Sequence, residues 1–409
     1  MVHLDSSATS SLLPEARDAI LDVLNLSVSR ALGNPSSLHS SGVRAKTIIA
    51  DAKKSVARLL SCRESELIFT SGGTEANNTV LHIFNGTPVL VSKIEHPSVL
   101  APAKAYGSPC FFVPVDRQGI IDLKFVDSTL SSILKTTPSA KVLLSVMTAN
   151  NETGVLEPIK ELLSLRDKYR ALKLKVFLHT DATQAIAKIP LSLKTLPIDY
   201  LTFSAHKIGG PVGLGVLFTL QNAPFSPLLL GGAQESRRRT GTENAALAAG
   251  LAAAADYCFK NQTWNLYESK VRPLKNYLIQ KLTPLGVSFN TPTTPSLPNV
   301  LNFSIPACEG ESTQLYLDLD HIEVSTGSAC ASGDLEPSHV LMALHGDAEV
   351  AHNSIRLSLD LRTTKNDLDL LLEKLPPIIS RLTDLSTIKP KSNPQTKAKQ
   401  PSKPKDSYA

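Results

Sequence analysis

Cysteine is scarce in this 409-residue chain. There are five, Cys62, Cys110, Cys258, Cys308 and Cys330, an odd number with no CxxC pair. That pattern argues against both a zinc site and a disulfide framework, and it favours a reducing compartment. No apolar run reaches membrane-spanning length, so no membrane partner is expected. The opening MVHLDSSATS has neither a charged-then-apolar signal region nor an arginine-rich presequence, so a cytoplasmic location is expected. Charge of one sign is also lacking over most of the chain. The formal net charge is +5, and residues 389–409 carry six lysines and one aspartate, which accounts for all of it. The body is therefore neutral by count, which speaks against a nucleic-acid-binding face.

What is present has the balance of a globular enzyme, with 42% apolar and 19% charged residues. The length predicts one large domain and a smaller one. Residues 177–218 organise the reading. An apolar strand ends at Asp181, a second (200–204) ends just before His206-Lys207, and a third (214–218) follows a glycine-rich turn containing Gly209, Gly210 and Gly213. Two groups of opposite charge thus stand just past strand ends, where sites collect in α/β sheets. A lysine beside Ser204 and His206, with a carboxylate on a neighbouring strand, suits pyridoxal phosphate, which needs an amine for its aldehyde and an acid for its ring nitrogen. A solvated lysine and a helix-capping aspartate would read the same way.

Other segments carry similar alternatives. LIFTSGGTEANN joins a strand to a helix beginning near Thr74. Its glycines and unpaired helical N–H groups can cradle a phosphate, but it lacks the lysine of a P-loop. His96 follows a strand and is either structural or turned toward a site. Asn150-Asn151 end the strand from Lys141. Arg237, Arg238 and Arg239 precede Thr240-Gly241-Thr242 and read as a solvated cluster or a phosphate-contacting loop. Small residues surround Cys330, an environment that favours reactivity over core packing. Arg356, within the apolar alternation of NSIRLSL, is a paired structural charge or a fork for a substrate carboxylate. Strands alternating with helices as far as residue 218 predict a mainly parallel, doubly wound sheet. Helices are expected over 14–26, 158–172, 264–285 and 365–385, with strands over 110–115 and 321–326. The Lys/Pro-rich end is expected to be disordered.

Taken together these segments resemble the NifS-like cysteine desulfurases, pyridoxal-phosphate enzymes of the class V aminotransferases. HLDSSAT, TSGGTEANN, SKIEHPSVL, TANNETGV, HTDATQA, SAHKIGGPVGLG, RRRTGTEN, STGSACASG, LEPSHVL and SIRLSL follow in family order. The resemblance implies fold type I: an α/β protein whose large domain holds a mainly parallel, seven-stranded-type sheet, with a smaller α+β domain. The implied division is an N-terminal segment (1–20), the cofactor domain (21–260), a small domain with the cysteine loop (261–387) and a tail (388–409). It implies that Lys207 bonds the cofactor, that Asp181 pairs with the ring nitrogen, that His96 stacks on the ring and that Gln184 bonds the phenolic oxygen, with Asn151 near it. Gly73, Thr74, Ser204 and His206 would hold the phosphate, with Thr242 reaching across a homodimer interface. Asn34, Asn151 and Arg356 would face the substrate, L-cysteine or L-selenocysteine, and Cys330 would accept its sulfur. No metal is implied.

The chain departs from the family pattern at Gly209 and Val212, at SLDLRTT, and at its end, where a lysine/proline tail replaces the aromatic segment with which housekeeping members meet an iron–sulfur scaffold. A sulfur-acceptor protein is an expected partner. The competing readings are a selenocysteine lyase or another carbon–sulfur lyase, and a catalytically silent sulfur-relay protein.

Overall fold

The computed structural model describes residues 1–326 and 336–385; Cys330 and the tail from 388 lie outside the described residues. The chain starts with a two-residue strand, β1 (Val2–His3). Seven strands then form the main sheet: β2 (Leu67–Thr70), β3 (Val89–Ser92), β4 (Cys110–Val113), β5 (Lys141–Ser145), β6 (Lys175–Asp181), β7 (Tyr200–Ser204) and β8 (Gly215–Thr219). Four more follow, β9 (Ser288–Phe289), β10 (Val300–Ser304), β11 (Ile322–Glu323) and β12 (Ser354–Ser358).

The main sheet has the order β2-β8-β7-β6-β5-β3-β4. All its pairings are parallel except those of β8, which is antiparallel to both β2 and β7. The expected α/β architecture with a seven-stranded, mainly parallel sheet is thus present. Its strands are apolar on both faces, as a sheet covered by helices on both sides requires. Residues such as Val91, Leu144, Leu178 and Phe203 are completely buried. The consequence for function is geometric. Six strands run the same way, so their C-terminal ends share one edge of the sheet.

β9, β10 and β12 form a smaller antiparallel sheet, and β1 pairs in parallel with β11. Val2 and Leu4 pack into the same apolar core as Leu301, Phe303, Leu357 and Leu371. The first residues of the chain therefore share one core with the small sheet and the last helix. No helix among the described residues is long and apolar enough to cross a membrane.

Several boundaries differ from the pattern-based expectation. The strand expected over 110–115 stops at Val113, because Pro114 has no N–H for the ladder. HIEVST yields only the two-residue β11. The single helix expected over 264–285 is broken. A turn of α-helix, Thr263–Leu266, passes into a π-helical stretch, Tyr267–Val271, before Arg272–Leu282. Pro273 stands at the start of that last piece, and a wider turn accommodates its missing donor.

Candidate active site

The ends of β2, β3, β5, β6 and β7 open onto one cavity of about 310 Å³, and the small sheet closes it from the side with Arg356. Asp181 is the last residue of β6. Lys207 ends the short turn Ala205–Lys207 that follows β7. His96 caps the helix Pro97–Tyr106 after β3, accepting the N–H of Ser98 on Nδ1 at 3.1 Å. A neutral His96 ring therefore carries its proton on Nε2. Burial, the largest influence, lowers the pKa of His96, against the pull of Asp181.

Gly73 begins the helix Gly73–Ile83, whose preceding residue, Gly72, supplies no side-chain cap. Gly73 N–H donates to Ser204 Oγ at 2.8 Å. A Cβ on Gly73 would stand 2.7 Å from that same oxygen, so the close approach needs glycine. Behind the turn, β8 presses against Gly72: a Cβ on Gly215 would lie 2.4 Å from the Gly72 carbonyl carbon. The turn is held from both sides, with the helix N-terminus facing the cavity.

Asp181 is fixed by two donors. Oδ2 accepts from Asn77 Nδ2 at 2.8 Å, and Oδ1 accepts from Thr183 N–H at 2.9 Å. Asn77 Nδ2 also donates to Ser98 Oγ at 2.9 Å, and Ser98 Oγ lies 2.8 Å from His96 Nδ1. One amide thus ties the carboxylate to the imidazole. Lys207 Nζ donates to the carbonyl oxygens of Ser7, at 2.6 Å, and Ala8. Thr9 Oγ1 lies 3.0 Å from His206 Nδ1. Burial, then the charges of Lys207 and Lys188, bring the pKa of His206 down to about 4, so it is neutral at pH 7.

Arg356 is almost fully buried. It pairs with Asp5 at 2.7 Å, donates to Asn151 O at 3.2 Å, and has its Nε buried without a partner among the described residues. The paired-charge reading of this arginine therefore holds, and the same side chain lines the cavity.

Of the residues singled out from sequence, Gly73, Thr74, His96, Asn151, Asp181, Gln184, Ser204, His206, Lys207 and Arg356 line this cavity. Two do not. Thr242 lines a separate hollow of about 150 Å³ with Ser71, Arg239 and Glu243. Asn34 is occupied in its own turn, where Oδ1 accepts from Ser36 N–H at 2.9 Å. Arg237 is exposed, the other two arginines of the run are tied down, and none of the three lines the cavity within one chain. Arg239 pairs with Glu75 at 2.9 Å, and Arg238 donates to the carbonyls of Ser65 and Leu67. Asn77, Ser98, Ser7 and Ala8 line the cavity as well, beyond the residues that the sequence pattern singles out. For Asn77 a signal existed, since it stands four residues after Gly73 on the same helix face. For Ser7 and Ala8 none did, because they act through backbone carbonyls.

The class-V aminotransferase sequence profile matches residues 2–371. The chain belongs to that family. It is 38% identical over 399 residues to the cysteine desulfurase IscS of Dictyoglomus turgidum, covering 95% of this chain and 97% of that protein. It is 36% identical to cysteine desulfurase IscS 1 of Archaeoglobus fulgidus, covering 95% and 99%. The solved NifS-like protein of Rickettsia africae superposes with a TM-score of 0.83 at 32% identity, covering 93% of this chain and 99% of that one. As a class-V aminotransferase the chain falls in a pyridoxal-phosphate-dependent family. Its cavity has the residues for that group: a carboxylate oriented inward, an amine at the adjacent strand end, a neutral imidazole, and a glycine notch at an uncapped helix start.

Proposed function

We propose that this chain is a cysteine desulfurase, removing the sulfur of L-cysteine to leave L-alanine and receiving it on Cys330 as a persulfide. The observation that carries the reading is the convergence of Lys207, Asp181 and Arg356 on one cavity, an amine, an acid and a carboxylate fork held by three different elements. Asp181 would hold the ring nitrogen of pyridoxal phosphate, His96 its face and Gln184 its phenolic oxygen. Gly73, Thr74, Ser204 and His206 would hold its phosphate. When bound, that cofactor supplies an electron sink that makes the substrate's Cα proton acidic and its sulfur transferable.

The chain's own residues do the rest. Arg356 takes the substrate carboxylate, assisted by Asn151. Lys207 Nζ removes the Cα proton and later returns a proton to the product. Ser7 O and Ala8 O, which only accept, hold that amine at the cavity wall. His96, neutral, keeps its Nε2 proton as a donor inside the cavity. The thiolate of Cys330 attacks the substrate sulfur, forming a sulfur–sulfur bond as the carbon–sulfur bond breaks. Thr242 points to a homodimer, because its expected phosphate contact needs a second copy when it lies outside the cavity of its own chain.

The test is incubation of the purified holoenzyme with L-cysteine, with alanine and protein-bound persulfide both measured. On the wild type, alanine should equal persulfide plus released sulfide, and both sulfur products should be lost in Cys330→Ala. Sulfide release that persists in Cys330→Ala means direct expulsion, a lyase. No alanine at all removes the enzymatic reading.

A further inference from the structure

Lys188 takes no part in the chemistry above, yet it is 3% exposed and sits directly behind the cavity. Its amine donates to Gln184 Oε1 at 2.9 Å. The other end of the same amide, Nε2, donates to Ser7 O at 3.0 Å. The two residues are four apart in a helical-turn segment, where Ile186 N–H reaches Ala182 O and Ile189 N–H reaches Ala185 O. Ala187, in the left-handed region between them, bends the turn, and the hydrogen bond itself shows that the two side chains meet. On its far side Lys188 borders a second cavity, also of about 310 Å³, shared with Lys207, Cys258, Tyr267 and Arg362.

A glutamine amide has nearly the same shape either way round, so its partners decide which end faces where. Here the partners agree. Ser7 O, a carbonyl, only accepts and so takes Nε2, and the Lys188 amine, charged or neutral, has hydrogens to give Oε1. The Gln184 oxygen is committed to Lys188, which does not line the first cavity, whereas Gln184 does. The polar group left for the cavity is the second Nε2 hydrogen.

Building on the cofactor reading above, we propose that Lys188 is a positioning residue that locks the Gln184 amide with its N–H, not its oxygen, toward the phenolic oxygen of the cofactor. A flipped amide would set oxygen against oxygen there and leave Oε1 buried beside another acceptor, Ser7 O. Burial, with Lys207 and Arg356 nearby, brings the pKa of Lys188 down to about 7, so the lock holds an amine that is costly to keep in place for packing alone.

The experiment titrates the cofactor-stripped wild type and the variants Lys188→Met, Lys188→Arg, Gln184→Ala and the Lys188→Met/Gln184→Ala double variant with pyridoxal phosphate. It reads the dissociation constant and the position of the visible band. Lys188→Met is expected to bind about tenfold more weakly with a displaced band, the effect of losing one orienting hydrogen bond. Lys188→Arg, which keeps a donor and has the second cavity to expand into, should stay within about threefold. In the Gln184→Ala background, adding Lys188→Met should change binding less than about twofold, because the amide it acts through is gone. Equal losses in both backgrounds, or no loss in either, overturn the proposal. Wild type that does not bind pyridoxal phosphate overturns the cofactor reading itself. If Lys188→Met does not fold, Gln184→Glu replaces it. A carboxylate there pairs with Lys188 and has no N–H to offer, so binding should fall as far as in Gln184→Ala; wild-type affinity overturns the proposal.

Discussion

Asp5 and Arg356, separated by 351 positions in the chain, meet as carboxylate and guanidinium at 2.7 Å. The contact ties the N-terminal segment to the cavity wall, and its neighbours do the same. Ser6 Oγ donates to the carbonyls of Ser358 and Leu359, Ser7 O accepts from Gln184 and Lys207, and Ser10 Oγ donates to His206 O. Residues 5–10 thus touch the Lys207 amine, the His206 ring (through Thr9 Oγ1) and the Arg356 guanidinium.

Asp5→Asn keeps the shape and removes the charge that aims Arg356. Its KM for L-cysteine should rise about tenfold, from weakening one charge-assisted hydrogen bond, while kcat changes less. Steady-state kinetics decide it. A fall in kcat at constant KM would mean that Asp5 does not act through substrate binding.

Asn77→Ala removes the donor shared by Asp181 and Ser98. The carboxylate then lacks one of its two fixed hydrogen bonds, and cofactor affinity should fall about tenfold or more. Asn77→Asp should be worse, because two carboxylates would face each other within hydrogen-bonding distance. Equilibrium titration with pyridoxal phosphate ranks the three chains. Wild-type affinity in Asn77→Asp would sink the argument.

Gly73→Ala places a methyl 2.7 Å from Ser204 Oγ. The hydroxyl must rotate away and lose the Gly73 N–H, so the phosphate notch loosens. We expect a cofactor-release rate raised about tenfold, with the thermal midpoint nearly unchanged, since a serine rotamer costs little. A large drop in thermal stability would assign Gly73 to folding and not to the notch.

Glu157 offers a test of electrostatics away from the site. It accepts from Ile121 N–H at 3.0 Å through one oxygen, while the other is buried without a partner among the described residues. Burial raises its pKa to about 8. A carboxyl whose pKa is higher in the folded chain stabilises it fully below the unfolded value, near 4.5, and that contribution is lost as pH rises through about 8. Glu157→Gln cannot ionise. Relative to it, the parent should lose on the order of 3 kcal/mol between pH 5 and pH 9. Urea unfolding of both chains at the two pH values measures the difference, and parallel curves would refute the assignment.

Much of this architecture is local and therefore legible in residue order. Apolar runs of strand length ending in Asp181 and Ser204, glycines at Gly72–Gly73, and Lys207 directly after a strand fix those groups at strand ends by short-range geometry alone. Parallel pairing then brings the ends to one edge, because right-handed crossovers leave little choice of direction. The pattern failed where a backbone defect intervened, at Pro114 and Pro273, and where a two-residue pairing was too short to leave an alternation.

Sequence alone determined that an amine, an acid, an imidazole and a glycine notch would sit at the carboxyl edge of a mainly parallel sheet, since periodicity and turn chemistry act over a few residues. Only the tertiary structure decided that Asp5 aims Arg356, that Asn77 links Asp181 to His96, that Ser7 and Ala8 berth Lys207, and that Thr242 and Asn34 stand outside the cavity of their own chain. These are contacts between segments tens to hundreds of residues apart. A hydrogen bond of that kind leaves no trace in the neighbouring residues; it exists only once apolar burial has brought the two segments together.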